Sequence, residues 1–380
     1  MRIITDQITP ASFISRPNRF VVHCEVKGRP IDAYLPNPGR LWELLIPGSR
    51  LQLIENGREG RMPYTVIAVE KGGKPILLHT HLTNAIAEML LRERLVPGFE
   101  DAEIIRREAS FGDSRFDFLL ARKGRSMLLE VKNGTLFRGK LAMFPDAVTA
   151  RGSRHLKGLA EASSQGVAGG VLFIVNWFGA EYFMPDLHTD FFFARTLLQV
   201  RESIEVKAIA LDWHTGMFLG CKVKELVIPW QTIDDYTRDR GCYVIILKLA
   251  SDRALKIGEL GTTFFRKGYY LYAGSARKAL TKRIERHRRK RKNLFWHIDY
   301  LREGAEFYKA LALRTPDDLE CVLAQKLKAI ADWSVKGFGS SDCVCESHLF
   351  GMKEDPTGVP AFIDALYGLR MASIEEKLLS

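Results

Sequence analysis

Cysteine is scarce, with six residues in 380, which is too few to staple a chain of this length and excludes a disulfide-built secreted scaffold. No uncharged apolar run approaches the ~20 residues that a membrane-spanning helix needs, and no signal-peptide pattern opens the chain. These absences predict a soluble protein of the reducing cytoplasm with no membrane partner. Internal repeats and low-complexity tracts are lacking, which sets repeat architectures aside. Acidic residues are also in short supply, 45 against 56 Lys and Arg, for a formal net charge of +11. That excess favours an anionic partner, and alone it leaves nucleic acid, anionic membrane and acidic protein open. Hydrophobic residues make up 46% of a chain longer than single cores usually sustain, so two or three domains are expected.

Turn signals and periodicity divide the chain. Gly28-Arg29-Pro30, Pro36-Asn37-Pro38-Gly39 and Asn56-Gly57 separate short strands between Phe20 and Val69, a small all-β module spanning residues 1–82. Over 83–235 a helical spacing at Thr83 to Leu95, a strand hairpin, a long helix from near Pro145 and the buried strand Gly170–Val175 predict an α/β domain. The polar run Gln231 to Asp235 marks the next boundary, leaving a second α/β domain over 236–355. Residues 356–380 read as a tail with one amphipathic helix, Ala361 to Leu369.

One stretch carries its own geometry. Arg115–Leu120 and Met127–Lys132 flank a polar turn, the pattern of a β-hairpin. With the turn centred between Lys123 and Gly124 and a loop of two or four residues, Asp117 falls opposite Glu130 on one face, with Lys132 two residues on. Directly opposed Cβ atoms lie ~4.5–5.5 Å apart, near enough for both acids to hold one hard cation. A three-residue loop breaks that register. Phosphodiester hydrolysis asks for such a set: carboxylates to hold Mg²⁺ (or Mn²⁺), a metal-activated water and a cation against the developing charge. The plain alternative is a Glu130–Lys132 ion pair at a strand end.

The wider pattern favours the first reading. Leu35-Pro36-Asn37-Pro38-Gly39-Arg40, Ser114–Phe118, Glu130-Val131-Lys132-Asn133 and Phe144–Gly152 with His155 occur in this order. Over about residues 10–230 the chain resembles the sugar fermentation stimulation protein family. The resemblance implies an OB-like β-barrel, then a domain of the PD-(D/E)xK nuclease fold, with DNA as partner. By position it makes Asp117, Glu130 and Lys132 a nuclease-type set, with the acid Glu108 a candidate fourth member for Mg²⁺, and puts Arg40 and Arg115 among the DNA contacts. Gly134 departs from the β-branched residue expected there. Asp146 to Glu161 reads as a helix with Arg151 and His155 one turn apart, facing DNA or else a solvated basic face.

Further along, ten basic residues and one acid, Glu285, lie between Arg277 and Lys292. Such density accompanies a polyanion, and Lys282, Arg286, Arg288, Arg289 and Lys290 are the candidate phosphate contacts. Ala279, Leu280 and Ile284 make the first half a packed helix rather than a disordered arm. Thr315-Pro316-Asp317-Asp318 signals a helix start that places Glu320 near its beginning. Gly241-Cys242-Tyr243, Tyr272-Ala273-Gly274, Arg283 with His287, and Glu320 resemble the GIY-YIG endonuclease superfamily over about residues 240–352. This implies Tyr243, Tyr272 and His287 near an attacking water, Arg283 against the phosphate and Glu320 on one divalent cation. The interval Lys248 to Lys267 between the two motifs must be an insertion that leaves the strands paired. Cys343, Cys345 and His348, with Cys321 or Cys242 as a fourth ligand, are candidates for zinc, the alternative being buried structural thiols.

The expectation is therefore a multidomain α/β and β protein: an OB-like barrel, a PD-(D/E)xK nuclease-like domain and a GIY-YIG-like domain. The activity expected is metal-dependent endonucleolysis of DNA. A non-catalytic DNA-binding regulator of sugar metabolism is the alternative. RNA as partner and the oligomeric state stay open.

Overall fold

Alternating burial builds the first module. Val22, Cys24 and Val26 of the strand Val21–Val26 point inward while the residues between them reach solvent. In this computed structural model, which describes residues 3–4, 6–57 and 62–379, five strands close a barrel. Ile8–Asn18 pairs with Val21–Val26 and with Arg50–Glu55. Closure comes from parallel pairing of Arg29–Tyr34 with Tyr64–Lys71, through Ala33↔Tyr64 and Tyr34↔Thr65.

A six-stranded mixed sheet follows, in the spatial order Phe218–Glu225, Glu205–His214, Ala168–Val175, Arg125–Gly134, Ser114–Arg122, Glu103–Phe111. Ala168–Val175 is parallel to both neighbours and buried along nearly its whole length, because helices cover both faces. Thr83–Arg92 packs Ile86, Ala87, Leu90 and Leu91 on one face. Ala150–Ser164 and Phe191–Val200 pack Leu156, Leu159, Phe193 and Leu197 on the other. The former begins at Ala150 rather than Asp146, because Thr149 takes the cap and accepts from Gly152 N at 3.0 Å. Asp146 stays in the loop and accepts from Leu41 N at 2.6 Å. Gly134 is the last residue of its strand and still pairs with Val175.

The second unit, from Asp234, is an antiparallel sheet in the order Glu306–Arg314, Gly241–Leu249, Gly268–Ala276, Leu349–Met352, Trp333–Ser334. Pairing between Gly241–Leu249 and Gly268–Ala276 is unbroken from Gly241↔Ala276 to Leu249↔Gly268. The interval between them forms its own hairpin, Arg253–Lys256 with Thr262–Phe265. The helix expected at Thr315 begins at Glu320, since Thr315 Oγ1 instead accepts from Asp317 N at 3.1 Å in a local turn. The final residues are packed into this unit: Pro360–Tyr367 is a helix, and the buried Arg370 donates to Ala312 O at 3.0 and 2.8 Å. Among the described residues no helix is long and apolar enough to cross a membrane.

Candidate functional sites

In the first unit the hairpin turn has two residues, Lys123 and Gly124, both at positive φ (50° and 70°), closing Arg122↔Arg125. That register runs to Phe118↔Leu129, so Asp117 and Glu130 stand at the next rung. Asp117 does not complete the ladder. Its Oδ2 accepts from Val131 N at 2.7 Å and its Oδ1 from Asn84 Nδ2 at 2.7 Å. Burial and the charge of Glu130 raise its pKa above the usual value.

Glu130 is buried, with Oε1 paired to Lys132 and accepting from His155 Nδ1 at 2.6 Å. Burial works against its charge, but the hydrogen bonds from His155 and Lys132 win and hold its pKa below normal. Glu130 Oε2 is buried with no hydrogen-bond partner among the described residues. An orphaned carboxylate oxygen is costly unless something binds it, so the chemistry of the pair suits a hard cation, which Glu130 and Asp117 would hold.

His155 does not face outward. It lies on the inner face of its helix, only 5% exposed, because that face carries the core residues Leu156 and Leu159. Exposed Arg151 donates to its Nε2 at 3.2 Å, which leaves Nδ1 to donate to Glu130. Glu108 also stays apart, exposed and 3.4 Å from the exposed Arg115. Arg40 stacks over Trp42 at 5.2 Å. Its loop is bound by Arg16, which donates to the carbonyls of Asn37, Gly39 and Arg40 at 2.6–2.8 Å. Beside the carboxylates lies a cavity of about 340 Å³, lined by Asn37, Pro38 and Gly39 of the barrel and by Asn84, Lys132 and Asp146. For these contacts Asn84 and Arg16 carry no local sequence signal, since the groups they bind here lie 33 and 21–24 residues away.

The second unit draws its site from several elements. Tyr243 and Tyr272 sit on the paired central strands with ring centroids 6.4 Å apart. Gly274 makes their packing feasible, since a Cβ there would meet Tyr243 Cζ and Oη at 2.6 Å. From the helix Leu280–Arg288, His287 Nε2 is 2.9 Å from the Tyr243 hydroxyl, and Arg283 donates to Ser275 O at 3.2 Å while covering Trp296. Glu320 closes the site: Oε2 accepts from Ser275 Oγ, and Oε1 is 3.1 Å from His348 Nδ1.

Burial and the neighbouring Tyr272 push the Tyr243 phenol well above its usual pKa, so it serves as a neutral hydroxyl. Burial lowers the pKa of His287. Asp299 Oδ1, 3.7 Å from Nδ1, favours the proton there and leaves Nε2 with its lone pair. Burial opposes the charge of Glu320, yet hydrogen bonds from His348 and Ser275 keep its pKa low, so it stays a carboxylate able to hold a cation.

The basic stretch is divided. Lys282, Arg288, Arg289 and Lys290 are exposed, whereas Leu280, Ile284 and His287 face the core. Arg286 is not free for phosphate: it binds the fully buried Asp299 through both nitrogens, at 3.1 and 2.9 Å, and Lys292 joins it at 2.7 Å. The thiols of Cys321, Cys343 and Cys345 and the ring of His348 gather with all ligand atoms within 4.8 Å of one another. Cys242 is buried elsewhere, on the strand Gly241–Leu249, and the three clustered thiols are half-exposed rather than buried.

Fold and site together define the class: an OB-like barrel joined to a nuclease-like α/β domain, followed by a GIY-YIG-like domain. Family models match in the same order, the SfsA N-terminal OB domain over residues 14–78, the sugar fermentation stimulation protein RE domain over 81–217, and the domain of unknown function DUF123 over 242–370. The sugar fermentation stimulation protein homolog of Clostridium tetani is 36% identical over 213 residues, 55% of this chain and 93% of that one. The homolog of Methanothermobacter thermautotrophicus is 40% identical over 193 residues, 50% of this chain and 80% of that one. A solved structure of Pyrococcus furiosus SfsA in complex with Ca²⁺ matches with a TM-score of 0.55 and 29% identity, covering 60% of this chain and 99% of that one. The chain belongs to the sugar fermentation stimulation protein family.

Proposed function

We propose that this protein is a cytoplasmic, divalent-metal-dependent endonuclease that binds DNA and hydrolyses its phosphodiester bonds. The observation that carries the reading is the convergence of Tyr243, Tyr272, Arg283, His287 and Glu320 on one site beside an exposed basic helix face. Mg²⁺ or Mn²⁺ bound to Glu320 would polarise the scissile phosphate. His287, neutral and with Nε2 directed at the Tyr243 hydroxyl, takes a proton from the attacking water through that hydroxyl or directly. Arg283 opposes the charge that develops on the phosphate. Lys282, Arg288, Arg289 and Lys290 bind the backbone on either side. In the first unit Asp117 and Glu130 form the second candidate cation site, with Lys132 as its cation. The Pyrococcus relative was solved in complex with Ca²⁺, which supports a divalent-cation site in the part of this chain that it matches.

One observation favours a second reading for the first unit, a binding surface without catalysis: Glu130 Oε1 is already answered by Lys132 and His155. The test is cleavage of labelled duplex, single-stranded, branched and nicked DNA with Mg²⁺ or Mn²⁺, by wild type, Glu130→Ala and Glu320→Ala. Loss in Glu320→Ala is expected. A folded, DNA-binding wild type that cuts none of these substrates would leave the regulator reading standing.

A further inference from the structure

Between the strands Trp333–Ser334 and Leu349–Met352 the chain runs without helix or strand. This segment has little apolar anchorage around Val344, which is fully exposed. It nevertheless folds back on itself, with Gly337 N donating to Glu346 O and His348 N to Phe338 O, both at 2.8 Å. The fold-back carries Cys343, Cys345 and His348 to Cys321, which lies in the first turn of the helix Glu320–Ile330. Four soft or borderline donors thus come from two separate parts of the chain.

Their spacing suits one tetrahedral ion. With Zn–S of about 2.3 Å and Zn–N of about 2.0–2.1 Å, tetrahedral ligand atoms stand about 3.5–3.8 Å apart. Here they all lie within 4.8 Å of one another, and Cys343 Sγ is 3.3 Å from His348 Nε2. Three thiolates and an imidazole select zinc over the harder cations that carboxylates prefer. Four protein ligands leave no open position, which makes such a site structural.

We propose that Cys321, Cys343, Cys345 and His348 hold a structural Zn²⁺ ion, and that this ion orients His348 to present its Nδ1 to Glu320. His348 is 2% exposed, with Nε2 toward Cys343 and Nδ1 3.1 Å from Glu320 Oε1. A ligating histidine ordinarily gives its second nitrogen to a carboxylate, which fixes the ring and the carboxylate alike. Cys321 is next in sequence to Glu320, so the same ion also ties down the backbone that carries the glutamate. His348 is then a positioning residue. This second half of the proposal rests on the role proposed above for Glu320, and the zinc site does not.

The experiment is elemental analysis of the full chain purified under reducing conditions from zinc-supplemented medium, together with Co²⁺ exchange. One zinc per chain is expected, released by a thiol-blocking reagent. The Co²⁺ form should show thiolate charge-transfer absorption and the intense visible bands of a tetrahedral site. The double variant Cys343→Ser/Cys345→Ser should lose the zinc. Wild type that carries no zinc and gives no such cobalt spectrum, or that carries iron instead, overturns the site whatever the variant does.

The link to Glu320 is read by Mn²⁺ binding, followed by electron paramagnetic resonance and calibrated with Glu320→Ala. Binding to the Glu320 site should weaken by about 10–100-fold in the double variant. Unchanged Mn²⁺ affinity in a zinc-free, folded variant overturns the link. If Glu320→Ala removes no Mn²⁺ site, the metal role of Glu320 fails together with the link, and the zinc count stands by itself.

Discussion

The two candidate sites solve one problem in parallel ways. Each holds a carboxylate through a histidine Nδ1: His155 to Glu130 at 2.6 Å in the first unit, His348 to Glu320 at 3.1 Å in the second. The far nitrogen is occupied in both, by Arg151 in one and at Cys343 in the other. They differ in where positive charge sits. Lys132 lies against Glu130 itself, whereas the second site keeps most of its cations outside, on the exposed face of the helix whose inner face delivers His287. The first carboxylate thereby meets a lysine at Oε1, whereas the second meets the Ser275 hydroxyl and the His348 ring and, among the described residues, no lysine or arginine.

The largest expected effect separates the two chemically. In a Glu130→Ala background, so that only the second site reports, His287→Ala should slow cleavage by about 10²–10⁴-fold, the contribution of a positioned general base. Its pKa is lowered by burial, and the base must be neutral to act. The rate therefore stays high as pH falls through the ordinary histidine value and drops only below it. A profile with its acid limb at the ordinary value, or an unchanged rate in the variant, removes His287 from the chemistry.

A smaller effect tests the internal charge of the second unit. Asp299 is fully buried, yet its contacts with His287, Arg286 and Lys292 outweigh burial and hold its carboxyl well below the usual range. Asp299→Asn leaves two partly buried cations, Arg286 and Lys292, underpaired and should cost up to about 3–5 kcal/mol of the second unit's stability in urea unfolding. A depressed carboxyl contributes stability that is complete above its unfolded value of about 3.9 and is lost as pH falls toward the folded one. Wild type should therefore weaken in acid more steeply than the variant. Equal acid slopes would show that Asp299 is not the group responsible.

Much of this was legible in the sequence where it depended on local order. The two-residue turn at Lys123-Gly124 sets the rung of Asp117 and Glu130, and one helical turn brings Arg283 and His287 to one site. The insertion between the tyrosine motifs was legible for the same reason, since its ends remain paired at Leu249↔Gly268. Long-range partners were not. Nothing near Asp117 announces Asn84, and nothing near Arg286 announces Asp299. His155 carries an outward reading from its spacing to Arg151, but the helix turns it inward onto Glu130. Cys321 joins Cys343 and Cys345 only because the irregular segment folds back, a contact that no periodicity encodes.

The smallest effect bears on the parallel itself. If His155 positions Glu130 as His348 positions Glu320, then His155→Ala should leave the fold intact and raise the Mg²⁺ concentration for half-maximal binding at the first site by about 10-fold or somewhat more. Removing the ring takes one of the two partners of Oε1 and leaves Lys132. The carboxylate would then be free to swing, and burial would raise its pKa toward the usual value or beyond it. Cation binding should accordingly become more sensitive to acid in the variant, whereas His155→Gln, which can still donate, should recover part of the loss. Arg151→Ala, one contact further out, should do less than either. An Arg151→Ala effect as large as that of His155→Ala would mean that the arginine acts on the ligand directly, and the parallel between the two histidines would fail.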